Sequence, residues 1–118
     1  MFTRNHQWLQ FTEGKTRARV GITNFAQESL GEIIYVELPT IGKNFSKDDV
    51  AMNLESVKAV GEIYMPAEGS VVKVNELLED NSELVNQSPQ HEGWLFEIES
   101  LNALRQTDEM ISEDDYVE

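Results

Sequence analysis

Short runs in which apolar and polar residues alternate are the feature that most narrows what this chain can become. Val50, Met52 and Leu54 alternate with Ala51, Asn53 and Glu55, and Trp94, Phe96 and Ile98 alternate with Leu95, Glu97 and Glu99. A period of two sends successive side chains to opposite faces of a strand, so each run reads as a half-buried β-strand. Trp8, Leu9 and Phe11 lead into the turn-rich Thr12-Glu13-Gly14-Lys15, after which Ala18 to Ile22 resumes the alternation, a hairpin signal. Glu32 to Leu38 is strand-like through Ile33, Ile34, Tyr35 and Val36, and Pro39 to Gly42 turns the chain.

One helix interrupts this pattern. Asn24 is placed to cap it, with Gln27 three residues on in a capping-box arrangement, and Gly31 is placed to end it with a left-handed residue. The connections Gly42 to Asp49 and Glu76 to Gly93 read as irregular and acidic. Each precedes one of the alternating runs, a weak internal repeat that predicts two similar halves enclosing one core. Ser112-Glu113-Asp114-Asp115 offers a serine cap with acids in a first turn, which predicts a short C-terminal helix. Nothing rich in Pro, Gly or Ser divides the chain. At 118 residues, 1–118 is expected to be one domain, within the common range of ~100–150 residues.

Charge and composition remove several functional classes. With 22 Asp and Glu against 9 Lys and Arg, the net charge of −13 repels phosphate polymers and anionic lipid, so neither nucleic acid nor a membrane is an expected partner. The same field favours electropositive protein partners met in fast, salt-sensitive encounters. The absence of cysteine removes disulfides, thiolate metal sites and a cysteine nucleophile, so any sulfur chemistry must arrive on a cofactor. His6 and His91 show no metal-ligand spacing, no nucleophile elbow accompanies the serines, and no glycine loop is built to cradle phosphate. The N-terminal residues lack a signal-peptide apolar core, and no stretch approaches the ~20 apolar residues of a membrane span. The expected setting is cytoplasmic, with a mitochondrial matrix as the alternative.

The chemically informative stretch is Glu55-Ser56-Val57-Lys58-Ala59, followed by Val60 to Tyr64 and the turn Met65-Pro66-Ala67-Glu68-Gly69. It reads as strand, tight polar turn, strand. That puts Lys58 at or beside a hairpin tip, in water, where an enzyme gripping the hairpin could acylate it. Taken alone, a turn lysine is simply a solvated charge.

This pentapeptide closely resembles the lipoyl-attachment motif of glycine cleavage H proteins. The resemblance extends to His6-x-Trp8, Val20-Gly21-Ile22-Thr23, Ala26-Gln27, Leu30-Gly31 and Val36-x-Leu38-Pro39-x-x-Gly42. It continues through Pro66-x-x-Gly69-x-Val71-x-x-Val74-Asn75, Leu84-Val85-Asn86, Pro89 and Gly93-Trp94, in order and spacing, from about His6 to Ile98.

The resemblance implies a mainly β barrel-sandwich hybrid of the lipoyl and biotinyl carrier type, with lipoic acid amide-linked to Lys58. It implies a monomeric, non-catalytic carrier of an aminomethyl group and reducing equivalents. Its partners would be glycine decarboxylase, aminomethyltransferase, dihydrolipoyl dehydrogenase and a lipoyl ligase or transferase. Glu55, Ser56, Val57 and Ala59 would be the attachment context, Glu55 helping the lipoylating enzyme to recognise the site. Gln7 and Glu62 would line a cleft in which the loaded arm docks.

Two positions depart from the family. Gln7 stands where the family has Glu in His-Glu-Trp, so the docked arm is expected to be held more loosely. In the turn before the hairpin, Ser46-Lys47-Asp48-Asp49 lacks the usual glycine, and Asp48 is expected to take the left-handed position instead. The alternative functions are an H-like carrier that relays lipoyl groups outside glycine catabolism, the lipoyl domain of an acyltransferase complex, and an unmodified binding domain.

Overall fold

A computed structural model describes residues 5–13 and 16–100, with only the backbone of Glu13. The expected C-terminal helix lies outside these residues. In chain order the elements are β1 (Gln7–Glu13), β2 (Arg17–Ile22), α1 (Asn24–Leu30), β3 (Ile33–Glu37), β4 (Asn44–Phe45) and β5 (Val50–Ser56). They continue with β6 (Val60–Tyr64), β7 (Gly69–Val74), the single-turn helices α2 (Leu77–Asp80) and α3 (Leu84–Gln87), and β8 (Phe96–Glu99). No helix among the described residues is long and apolar enough to cross a membrane.

The strands form two antiparallel sheets rather than a closed barrel. One has five strands in the order β1-β2-β8-β7-β4, the other three in the order β3-β5-β6. The alternating runs explain how they stack. Ala18, Val20, Val71, Phe96 and Ile98 point inward from the larger sheet and Ile33, Val36, Met52, Leu54 and Ile63 from the smaller, all within one buried cluster. Facing sheets with interdigitated inner side chains are how a small β domain hides its apolar surface. The result is mainly β, as expected for a barrel-sandwich hybrid.

Three local expectations are corrected or refined. The cap of α1 is Thr23, one residue before Asn24: Thr23 has extended dihedrals (φ −79°, ψ 166°) and its Oγ1 accepts from Ala26 N at 3.2 Å. Asn24 is already helical, and Gln27 Nε2 donates to its side-chain oxygen at 2.8 Å rather than to its backbone. The connection 76–93 is not irregular, since α2 and α3 sit within it and bury Leu78 and Val85. Gly42 to Asp49 contains the two-residue strand β4. Asp48 does take the left-handed conformation, with φ 71°. Its N–H donates to Met65 O at 2.9 Å while Met65 N donates to Asp49 O at 2.8 Å, which closes the base of the β5–β6 pair.

Trp8 anchors the outer hairpin. It is cross-strand from Gly21, the residue is 6 % exposed, and its Nε1 donates to Pro89 O at 2.9 Å. A Cβ at Gly21 would lie 2.4 Å from the indole ring, so glycine here makes room for tryptophan. Gly21→Ala is expected to displace the indole and break the bond to Pro89. Overpacking of this kind costs about 1–3 kcal/mol, measurable as a lower denaturation midpoint together with red-shifted tryptophan emission.

Candidate functional site

The β5–β6 hairpin carries Lys58 on a three-residue loop, Val57-Lys58-Ala59, and Ser56 shapes that loop. Ser56 N donates to Ala59 O at 2.8 Å. The Ser56 hydroxyl accepts from Ala59 N at 2.9 Å and Lys58 N at 3.3 Å, and donates to Ala59 O at 3.1 Å. A buried serine thus satisfies the backbone groups of a turn too tight to pair them itself, which is the usual service of Ser side chains in turns. Val57 N reaches across to Glu32 O at 3.0 Å, tying the loop to the segment after α1.

Most of the side chains around Lys58 face solvent. Lys58, Ala59 and Glu55 are exposed, and Val57 and Val60 are 67 % and 60 % exposed. Glu55 lies on β5 between Val60 and Tyr35 in register. A lysine on a rigid, protruding tip with apolar neighbours in water can be gripped by another protein and acylated without unfolding this one.

Glu62 and Gln7 are placed differently from one another. Glu62 is exposed on β6, and its carboxylate accepts from the Tyr64 hydroxyl at 3.4 Å. The charge of Glu62, some burial and this hydrogen bond raise the Tyr64 phenol above its ordinary value. Gln7 is only 2 % exposed. Its Nε2 donates to Tyr64 O at 2.8 Å and its Oε1 accepts from Tyr64 N at 2.9 Å. Its amide behaves like a peptide group, pairing with the edge of β6 as a neighbouring strand would.

Gly31 and Asn86 were matched in sequence but given no part in the site, and both lie beside the hairpin. Gly31 has φ 83°, and a methyl group there would stand 3.3 Å from Lys58 Cε. Asn86 Nδ2 donates to Gly31 O at 2.8 Å. His6 stacks on Phe25, centroids 4.5 Å apart, and His91 is exposed in the loop before β8.

The pairing at Gln7 requires one donor and one acceptor. A protonated carboxyl supplies both, whereas a carboxylate supplies none for Tyr64 O. Gln7→Glu is therefore expected to be close to neutral near pH 4 and to cost about 1–3 kcal/mol near pH 7, the range for an unsatisfied buried group. The folded state holds that proton more tightly than the unfolded chain, so the variant loses stability as pH rises through the raised folded value. Urea melts of both proteins across this interval check it. A pH-independent difference would contradict the pairing.

With this geometry in view, the relatives are informative. The model of the glycine cleavage H-protein family matches residues 1–118. The glycine cleavage system H protein of Bacillus velezensis is 43 % identical over 121 residues, covering 96 % of this chain and 94 % of that one. That of Thermotoga maritima is 47 % identical over 98 residues, covering 83 % and 77 %. Among solved structures, the crystal structure of a glycine cleavage system H protein from Mycobacterium marinum superposes with a TM-score of 0.79 at 31 % identity, covering 85 % of this chain and 82 % of that one. Sequence over the whole chain and fold over most of it agree, and the chain belongs to the glycine cleavage H-protein family.

Proposed function

We propose that Lys58 carries a lipoyl group in amide linkage and that the protein serves glycine cleavage as a carrier rather than as an enzyme. The observation that carries this reading is the presentation of Lys58. It is exposed at the tip of a hairpin whose loop is fixed by Ser56, within a chain of H-protein sequence. The residues fit the group. Acylation needs a reachable amine and an unencumbered approach, and the exposed Val57, Ala59 and Val60 leave that approach open.

A bound lipoyl group supplies the exchangeable disulfide that a chain without cysteine lacks. The protein's own part is to hold and deliver it. The hairpin keeps the tether's root fixed, so a partner that docks receives the reactive end at high effective concentration. The net charge of −13 steers short-lived encounters with electropositive partners. In this reading the partners are glycine decarboxylase, aminomethyltransferase and dihydrolipoyl dehydrogenase, with a lipoyl ligase or transferase loading the site and Glu55 aiding its recognition.

Five lysines, at 15, 43, 47, 58 and 73, make the attachment site testable. Incubation with a lipoate ligase, ATP and lipoic acid is expected to modify Lys58 alone by peptide mapping, and Lys58→Arg is expected to remain unmodified. Because the side chain is exposed, the substitution should shift stability by no more than ~0.5 kcal/mol. Lipoylation that persists in the arginine variant would overturn the assignment.

A further inference from the structure

The stem of Lys58 does not stand free above its hairpin; it lies over the end of α1. A methyl group at Gly31 would come within 3.3 Å of Lys58 Cε and 3.9 Å of both Cδ and Nζ. Gly31 also has φ 83° and ψ −158°, a region essentially reserved for glycine. Absence of a side chain and the unusual backbone together make a flat surface of peptide under the lysine. The neighbouring residue docks on the same hairpin: a Cβ at Gly61 on β6 would meet Leu30 Cδ2 at 2.9 Å. The bond from Val57 N to Glu32 O completes the joint. Leu30, Gly31 and Glu32 therefore meet the lipoyl hairpin at three successive positions.

Asn86 on α3 holds this turn in shape. Its Nδ2 donates to Gly31 O at 2.8 Å and to Gln27 Oε1 at 2.9 Å, and its Oδ1 accepts from Ile33 N at 2.9 Å. Gly31 N donates in turn to Gln27 O at 2.9 Å. One half-buried amide thus bonds to groups on both sides of the turn, using two donors and one acceptor. A side chain that packs without hydrogen bonding could fill the space but could not fix the dihedrals. Buried Val85, beside Asn86 in the same helical turn, anchors it to the core.

We infer that the Gly31 turn, held by Asn86, is a seat for the stem of Lys58 that sets the direction in which this lysine is presented to the enzyme that acylates it. Asn86 acts through Gly31, so it is a positioning residue. The inference rests on the carrier reading, since the direction of Lys58 matters only if Lys58 is modified. A fixed stem lowers the orientational cost of forming the encounter complex, which bears on KM for the carrier more than on the rate of acyl transfer once bound.

The test uses the full-length, unlipoylated protein in two measurements. In solution NMR, a nuclear Overhauser contact between Gly31 Hα and Lys58 Hε is expected in the wild-type protein. In lipoylation by a lipoate ligase with kcat and KM separated, Asn86→Asp keeps the acceptor for Ile33 N and loses the donors to Gly31 and Gln27. It is expected to abolish the contact and to raise KM for the carrier about fivefold, with kcat changed less than about twofold. Ser82→Ala is the control. It removes a bond of 3.1 Å from Ser82 Oγ to Ile33 O, close by but not on Gly31, and should leave the contact and KM intact.

Absence of the contact in the folded wild-type protein would overturn the seat, and this result needs no variant to fold. So would an Asn86→Asp protein that keeps both contact and KM, or a Ser82→Ala protein that raises KM as much, which would mean general loosening. Failure of the wild-type protein to accept lipoate at all would overturn the carrier reading instead, while the NMR contact would still decide the seat.

Discussion

Two sheets share one core here, yet among the described residues no strand-to-strand ladder joins them, so the hairpin that carries Lys58 is held to the larger sheet by other means. The carboxamide of Gln7 supplies the clearest of these. From β1 in the larger sheet it pairs with both the N–H and the C=O of Tyr64 on β6 in the smaller one. A side chain doing the work of a strand satisfies an edge that the fold would otherwise bury unpaired, and buried backbone groups left unpaired are expensive. Next to Tyr64, the Asp48–Met65 and Asp49–Met65 bonds close the base of the hairpin on itself, and Leu30, Gly31 and Glu32 fasten its tip. The strands between these points are held at both ends, which leaves the loop of Val57 to Ala59 as the projecting part.

The parts of this architecture set by local chemistry were readable in the chain. Alternation located β5 and β8, because a half-buried strand must alternate whatever it packs against. Asp48 was readable as a left-handed residue because the turn needs one and aspartate tolerates it better than its neighbours do. The cap of α1 slipped by one residue because Thr23 and Asn24 are both good capping residues, and only the extended dihedrals of Thr23 decide between them. The helices α2 and α3 were missed because four residues are too few to show a helical period.

The long-range polar contacts were beyond reach for a different reason. Gln7 and Tyr64 are 57 residues apart, and the partners of Asn86 lie 53 to 59 residues away. No local pattern marks an amide whose partners are that distant. Gln7 shows the consequence. Its departure from the family was legible in the chain, while the two bonds that its buried amide makes to Tyr64 were not. The hairpin-tip position of Lys58 was legible because the strand–turn–strand pattern around it is short and local.

The functional account reduces to one division of labour. A chain with no cysteine contributes no sulfur chemistry, and an acidic domain with one fixed, protruding lysine contributes position, approach and delivery. This arrangement suits a molecule that several enzymes must handle in turn. The most direct test is the glycine–bicarbonate exchange reaction, with the protein lipoylated on Lys58 as the only carrier offered to glycine decarboxylase. The account predicts that labelled bicarbonate enters glycine at a rate that depends on the lipoylated protein and vanishes with Lys58→Arg. No exchange with the fully lipoylated protein, under conditions where another H protein supports it, would contradict the account and favour a lipoyl relay outside glycine cleavage.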